Sequence, residues 1–292
     1  MTLISRRNNT KAIDLHTHST KSDGTCTPAQ LVEIALKKDL AAFALTDHDN
    51  VDGIQEAVDA ARGTGLEVVP GIELSTEYEG KDIHIVGLLF DYTNPDFGRE
   101  IKEFADQRDA RNQTMCDRLS ADGYPVCYSE LKRAYPDANI TRAHFGQFLY
   151  EKGIVSSVTE AFDRLIGDDC PYFIPRKKIT PQKAVEFLLS FNGLPILAHP
   201  LQYAFGKDRL RGLIAQLKEC GLAGIEAFYS KHSASETESI IGLAREYDLL
   251  LSGGSDFHGD HKPGLEMGTG YGDLYVPGEL LELMKQAVRK RS

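Results

Sequence analysis

Short apolar runs recur along the chain. Each is closed by a polar cluster, and most are followed by a segment of helical period. The runs that read as strands are Ala12–His16, Ala42–Thr46, Glu67–Leu74, Asp82–Phe90, Leu194–His199, Gly224–Tyr229 and Leu249–Gly253. Helical patterns follow at Pro28–Lys38, Asp52–Arg62, Pro181–Phe191, Asp208–Glu219 and Ser235–Tyr247. Thr27-Pro28 and Thr180-Pro181 each set a capping hydroxyl before a proline at the first helical position. Strands alternating with helices predict a parallel α/β sheet or barrel. The alternation stops between about Asp96 and Lys178, where the patterns are helical: Gly98–Ala121, Ser129–Tyr135, Thr141–Lys152 and Ser157–Ile166. The expected organisation is a barrel in two parts, residues 11–95 and 179–292, interrupted by a helical insertion over 96–178.

What ends the apolar runs carries the chemistry. Asp14-Leu15-His16-Thr17-His18, Thr46-Asp47-His48-Asp49 and Gly254-Ser255-Asp256-Phe257-His258 each put imidazole and carboxylate at a strand end. Side chains two apart on a strand share a face, so His16 projects with His18, and Asp256 with His258. Asp23, Glu73, His84 and His199 stand in similar positions, in Ser22-Asp23-Gly24, Gly71-Ile72-Glu73, the fourth run and Ala198-His199-Pro200. A lone buried histidine is more often a hydrogen-bonded core residue than a ligand. Six of nine histidines gathered at strand ends with three carboxylates are better explained as metal ligands. The candidate ligands are His16, His18, Asp23, His48, Glu73, His84, His199, Asp256 and His258. At the C-terminal ends of barrel strands they would lie on the active face. His232 and His261 read as loop residues. Asp14, Asp47 and Asp49 fit two roles equally well, a hydrogen bond to an imidazole N–H or strand-end capping.

The bulk composition narrows the partners. The 292 residues carry a formal net charge of −10, which disfavours a broad basic face for duplex DNA. The five cysteines are odd in number, scattered and without a C-x-x-C pair, as expected of free thiols in the cytoplasm. No run is long enough to cross a membrane, and residues 1–10 lack the apolar region of a secretory signal and read as a frayed tail.

The metal pattern resembles the polymerase-and-histidinol-phosphatase (PHP) family of metallophosphoesterases. The resemblance rests on H-x-H with Ser-Asp-Gly, T-D-H-D, G-x-E, the downstream His84, A-H-P and S-D-x-H, which together span the chain. It implies a distorted (β/α)7 barrel and a centre of three divalent ions (Mn, Zn or Fe). By resemblance His16, His18, Glu73 and Asp256 hold the first ion. Glu73 bridges to a second, completed by His84 and His199, and Asp23, His48 and His258 hold the third. Some members have histidine where this chain has Asp23. Asp23, His48 and His199 are expected to be catalytic as well as ligating. The charge of the ions outweighs the three carboxylates, so an acidic protein could still bind a phosphate dianion.

The insertion adds basic groups. Thr141-Arg142-Ala143-His144 reads as a helix start, and Arg176-Lys177-Lys178 precedes the helix at Pro181. Arginine fits phosphate by its fork and lysine by point charge. Most basic triplets are solvated turns. This one re-enters the barrel just before the run that delivers His199, so Arg142, His144, Arg176 and Lys177 are the expected substrate contacts and the insertion the expected cap. Tyr172, Phe173 and Phe145 could stack on a base or simply form the insertion core. Insertions with T-R-x-H and P-R-K-K resemble a PHP subgroup acting on nucleotides. The expected substrate is a nucleoside 3',5'-bisphosphate cleaved at its 3'-phosphate, with short RNA digested from its 5' end as a further one. The alternatives are a cyclic nucleotide or another phosphomonoester such as histidinol phosphate. An amidohydrolase would also open with H-x-H, but no lysine stands at a strand end to bridge metals. A non-catalytic PHP module would not be expected to keep every ligand.

Overall fold

The computed structural model describes residues 11–136, 138–168, 170–174 and 179–291. Seven strands form one sheet in the order β1 to β7: Ile13–Thr17, Ala42–Leu45, Glu67–Tyr78, Lys81–Leu88, Leu194–Leu197, Gly224–Tyr229 and Leu250–Gly254. β1 also meets β7, where the Asp256 N–H donates to the His16 carbonyl at 2.8 Å and the His18 N–H to the Phe257 carbonyl at 2.9 Å. The sheet therefore curls into a nearly closed barrel. Gly254 makes that closure possible, because a Cβ there would sit 2.4 Å from His16 Cβ.

Alternation along the strands divides two apolar layers. Val69, Val86 and Ile196 share one cluster and, by the period of two, the face that carries Glu73 and His84. They floor the barrel beneath the polar residues. Phe43, Ile72, Leu74, Ile83 and Ile85 point to the other face and pack with Leu31, Ile54 and Leu188 of the surrounding helices. Those helices are α1 (Pro28–Lys37) and α2 (Ile54–Ala61), and, after the insertion, α7 (Pro181–Ser190), α8 (Lys207–Glu219) and α9 (Ala234–Glu246), whereas α10 (Glu279–Arg289) packs Leu281 and Met284 into the cluster of Val69, Val86 and Ile196. Thr27 caps α1 reciprocally with Gln30, and Thr180 caps α7. Such caps are each worth about 1 kcal/mol. α10 follows the last strand and has no counterpart among the helices expected from the sequence.

The sheet is not uniformly parallel. β4 runs antiparallel to both β3 and β5, whereas the other pairs are parallel. β3 is longer than its apolar run and passes directly into β4 through Glu79 and Gly80, both at positive φ. A two-residue turn of that kind joins antiparallel strands. His84 consequently reaches the active face from the first half of a reversed strand, not from a strand end.

Between β4 and β5 lie α3 (Pro95–Ala121), α4 (Tyr128–Ala134), α5 (Arg142–Glu151), α6 (Val158–Ala161) and a π-helical turn over Phe162–Ile166. They gather around their own apolar cluster, which includes Met115, Leu119, Leu131, Phe145, Leu149 and Ile166.

Candidate metal centre

The nine candidate ligands form four overlapping groups, each with its donor atoms within 4.8 Å of one another. The groups are His16, His18 and Asp256; His16, Glu73 and His199; His48, Glu73 and His84; and His18, Asp23, His48 and His258. Glu73 is the hub. Its Oε2 lies 3.3 Å from His16 Nε2, 3.2 Å from His18 Nε2 and 3.2 Å from His48 Nδ1. Its Oε1 lies 2.8 Å from His84 Nδ1 and 3.0 Å from His199 Nε2. Asp256 Oδ1 stands 3.3 Å from His18 Nε2, and Asp23 Oδ1 3.3 Å from His258 Nε2.

The donor atoms fit metal ions and not merely one another. His16 Nε2, His18 Nε2, His48 Nδ1 and Asp23 Oδ1 are buried without a well-formed hydrogen bond among the described residues. Orphaned polar atoms are costly in a protein interior, and four converging on one pocket are what ligands without their ions look like. Backbone geometry supports this. His199 (φ 25°) and Asp256 (φ 58°) are non-glycine residues at positive φ, a conformation that costs of order 1–3 kcal/mol and collects at functional sites.

The electrostatics of the ligands are uneven. Burial alone would lower His18, but Asp256 and Glu73 outweigh it and push it up to about 9. His16 is likewise held well above its ordinary value by Glu73, Glu226 and Asp256, against burial. Burial dominates at His48, which falls to about 3, and it also lowers His258. Burial would raise Glu73, yet His48, His84 and His16 hold it well below the ordinary carboxylate range. A ligating nitrogen must be unprotonated, so at His18 metal binding competes with a proton.

Around the ligands sits a layer of buried acids. Asp14 accepts from the Ser255 N–H (2.8 Å) and the Gly268 N–H (2.7 Å), fixing the loop that carries Asp256. Asp47 accepts from the Ser19 N–H at 2.7 Å and the Ser19 hydroxyl at 2.6 Å, holding the turn after His18. These two brace strand ends. The imidazole partner is instead Glu226 on β6, whose Oε1 lies 3.0 Å from His16 Nδ1. Asp256 keeps its second oxygen for the Tyr229 hydroxyl, at 2.9 Å, and for the Lys262 ammonium.

A cavity of about 200 Å³ opens over one side of this centre. Its lining combines the ligands Asp23, His48 and His84 with Arg108 and Arg111 of α3, Arg142 of α5, Asp82 and the aromatic Phe162. Arg108 donates to Asp49 and, at 3.1 Å, to the Ser75 hydroxyl. Arg142 donates to Asp168 at 2.6 Å and to Asp82 at 3.2 Å, so it ties the insertion to β4.

A family model of the PHP domain matches residues 14–167. The chain belongs to the PHP family. Its PHP sequence is 37% identical over 249 residues to a 5'-3' exoribonuclease of Haemophilus influenzae, covering 85% of this chain and 90% of that protein. It is 31% identical over 257 residues to a 3',5'-nucleoside bisphosphate phosphatase of Chromobacterium violaceum, covering 88% and 90%. A solved structure of an amidohydrolase from Chromobacterium violaceum, with bound sulfate and no metal, matches at TM-score 0.82 and 29% identity over 96% of each chain. The protein is thus a PHP-type, metal-dependent phosphoric ester hydrolase using divalent ions, as the motif resemblance implied.

The substrate residues expected from sequence part ways in this PHP structure. Arg142 borders the cavity. His144 turns its Nδ1 back to the Thr141 N–H at 3.0 Å, completing the cap of α5, and burial lowers it to about 4. Arg176 and Lys177 lie outside the described residues. Phe145 is fully buried, Tyr172 is buried with its hydroxyl on Asp122, and Phe173 lies beneath Arg142. Arg108, Arg111, Lys262 and Glu226 were not singled out in the sequence. The only local signal was for Glu226, an acid inside the otherwise apolar Gly-Ile-Glu-Ala-Phe-Tyr.

Proposed function

We propose that the protein removes the 3'-phosphate of nucleoside 3',5'-bisphosphates, giving a 5'-nucleotide and phosphate, and that it digests short RNA from the 5' end. The observation that carries this reading is one cavity lined both by the metal ligands Asp23, His48 and His84 and by Arg108, Arg111 and Arg142. A substrate with two phosphates uses both sets. The bisphosphate phosphatase relative agrees with a nucleotide carrying phosphate at both positions, and the exoribonuclease relative with RNA digested from its 5' end.

In this reading the centre holds three ions. His16, His18, Glu73 and Asp256 would take the first, Glu73 with His84 and His199 the second, and Asp23, His48 and His258 the third. Bound divalent ions lower the pKa of water and stabilise charge developing on phosphoryl oxygens. Mn, Zn and Fe all suit imidazole and carboxylate donors. The chain's own groups do the rest. Asp23, His48 and His199 hold the reacting phosphate region in register. The arginines grip the second phosphate and fix the ester in line, so remote binding serves the reaction. The insertion acts as a substrate cap, with Phe162 offering the base an aromatic edge and Arg176 and Lys177 adding positive charge. A cavity of this size in a chain of net charge −10 suits a small ester or a strand end, not duplex DNA. The unpaired cysteines suit the reducing cytoplasm.

Phosphate release with Mn²⁺ should be compared for adenosine 3',5'-bisphosphate, a cyclic nucleotide, histidinol phosphate and p-nitrophenyl phosphate. The bisphosphate should have the highest kcat/KM. A clear preference for the cyclic nucleotide, which carries one phosphorus, would replace this reading.

A further inference from the structure

Glu226 lies inside β6, is 3% exposed, and touches two candidate ligands that the three-ion reading above assigns to different metal positions. Its Oε1 lies 3.0 Å from His16 Nδ1. Its Oε2 accepts the backbone N–H of His199 at 2.7 Å. We propose that Glu226 is a positioning residue that couples these two positions: it fixes His16 in the tautomer that presents Nε2 and clamps the strained backbone of His199, so both load together while the Asp23–His48–His258 position loads without it. The inference rests on the multi-metal reading above.

A carboxylate only accepts, so a bond to His16 Nδ1 requires Nδ1–H, and in the neutral, metal-binding ring that tautomer leaves the Nε2 lone pair free to ligate. His16 Nε2 is the atom that faces Glu73 Oε2 and Asp256 Oδ1. His199 needs a different service. Its backbone sits at φ 25° and ψ 57°, and the N–H of this strained residue donates to Glu226. One rigid carboxylate, seated on a strand between the two, enforces both conditions at once. The position formed by Asp23, His48 and His258 makes no such contact. Its residues come from the loops after β1, β2 and β7.

Glu226→Gln is nearly isosteric and breaks this logic specifically. An amide has one acceptor and one donor, whereas the site presents two donors. Either His16 must protonate Nε2 or the His199 N–H faces an N–H. Purified wild type and E226Q should be stripped, reloaded with Mn²⁺, dialysed and analysed for metal. Wild type should retain several equivalents. E226Q should retain about one, and the affinity for the lost ions should fall by about 10–100-fold, the range for removing such a partner. In the Zn²⁺-loaded wild type, nitrogen NMR should show the His16 proton on Nδ1. Circular dichroism of both metal-free proteins should match. Equal metal content and affinity in the two proteins, or a folded E226Q that has lost every ion, would overturn the coupling. A wild type holding at most one equivalent would overturn the multi-metal reading itself.

Discussion

Arg142 is where chemistry and architecture meet in one residue. Its guanidinium borders the cavity and is paired with Asp82 and Asp168 at the same time. Pairs this exposed contribute about 1 kcal/mol or less to stability, so Arg142→Ala should leave the fold intact. It should remove a charge-assisted contact to the second phosphate, lowering kcat/KM for the bisphosphate by roughly 1.5–3 kcal/mol of transition-state binding. Turnover of p-nitrophenyl phosphate should barely change. Equal losses on both substrates would place Arg142 at the reacting phosphate or in the scaffold. The ligands themselves were legible in the sequence because imidazole and carboxylate at the ends of apolar runs have little other reason to recur. Arg108 and Arg111 were not, because α3 is rich in exposed charge and nothing local marks the two that turn inward. Glu226 carried a local signal, an acid in an apolar run, but not one that assigns a role. A single acid in a strand reads as a solvent-facing position until the opposite wall of the barrel is known.

At the scale of elements, the insertion is fastened to the barrel where the site is built. The Asn139 amide donates to the carbonyls of His48, at 2.9 Å, and of Asp49, at 3.2 Å. Its own N–H donates to the Lys21 carbonyl at 3.0 Å. The insertion thus holds the backbone that carries a candidate ligand. Asn139→Ala should cost about 1–2 kcal/mol in denaturant unfolding, for two side-chain hydrogen bonds to part-buried carbonyls. It should also lower kcat by freeing His48. Loss of stability with full activity would show that the tie serves packing alone. Element existence was readable from period and caps, as at Thr27-Pro28 and Thr180-Pro181. Strand direction was readable in principle but missed. Glu79-Gly80 is a two-residue turn signal, and β3 extends past its apolar run to reach it, which reverses β4 and moves His84 from a strand end to a strand interior.

For the whole molecule, the metal-free centre is an array of like and unlike charges that only ions can settle. His18 is raised from about 6.5 to about 9 in the folded chain by Asp256 and Glu73, against burial. A raised folded value means its contribution is fully present below about 6.5 and is lost as pH rises through about 9. Metal-loaded protein does not carry that proton. The gap in Tm between Mn²⁺-loaded and chelator-treated protein should therefore widen from about pH 6.5 to about 8.5. A gap that stays constant would mean that His18 is already neutral without metal. Glu73, Asp23 and Asp256 act in the opposite sense. Their depressed values stabilise the fold above the ordinary carboxylate range, and that support goes on acidification.

In the proposed reaction a many-liganded metal centre and three arginines lining one cavity act on one nucleotide carrying two phosphates. Phosphorus NMR of the products formed from adenosine 3',5'-bisphosphate tests it most directly. The expected products are adenosine 5'-phosphate and inorganic phosphate, with turnover abolished by chelation and restored by Mn²⁺. Adenosine 3'-phosphate as the product, or turnover that survives chelation, would contradict it.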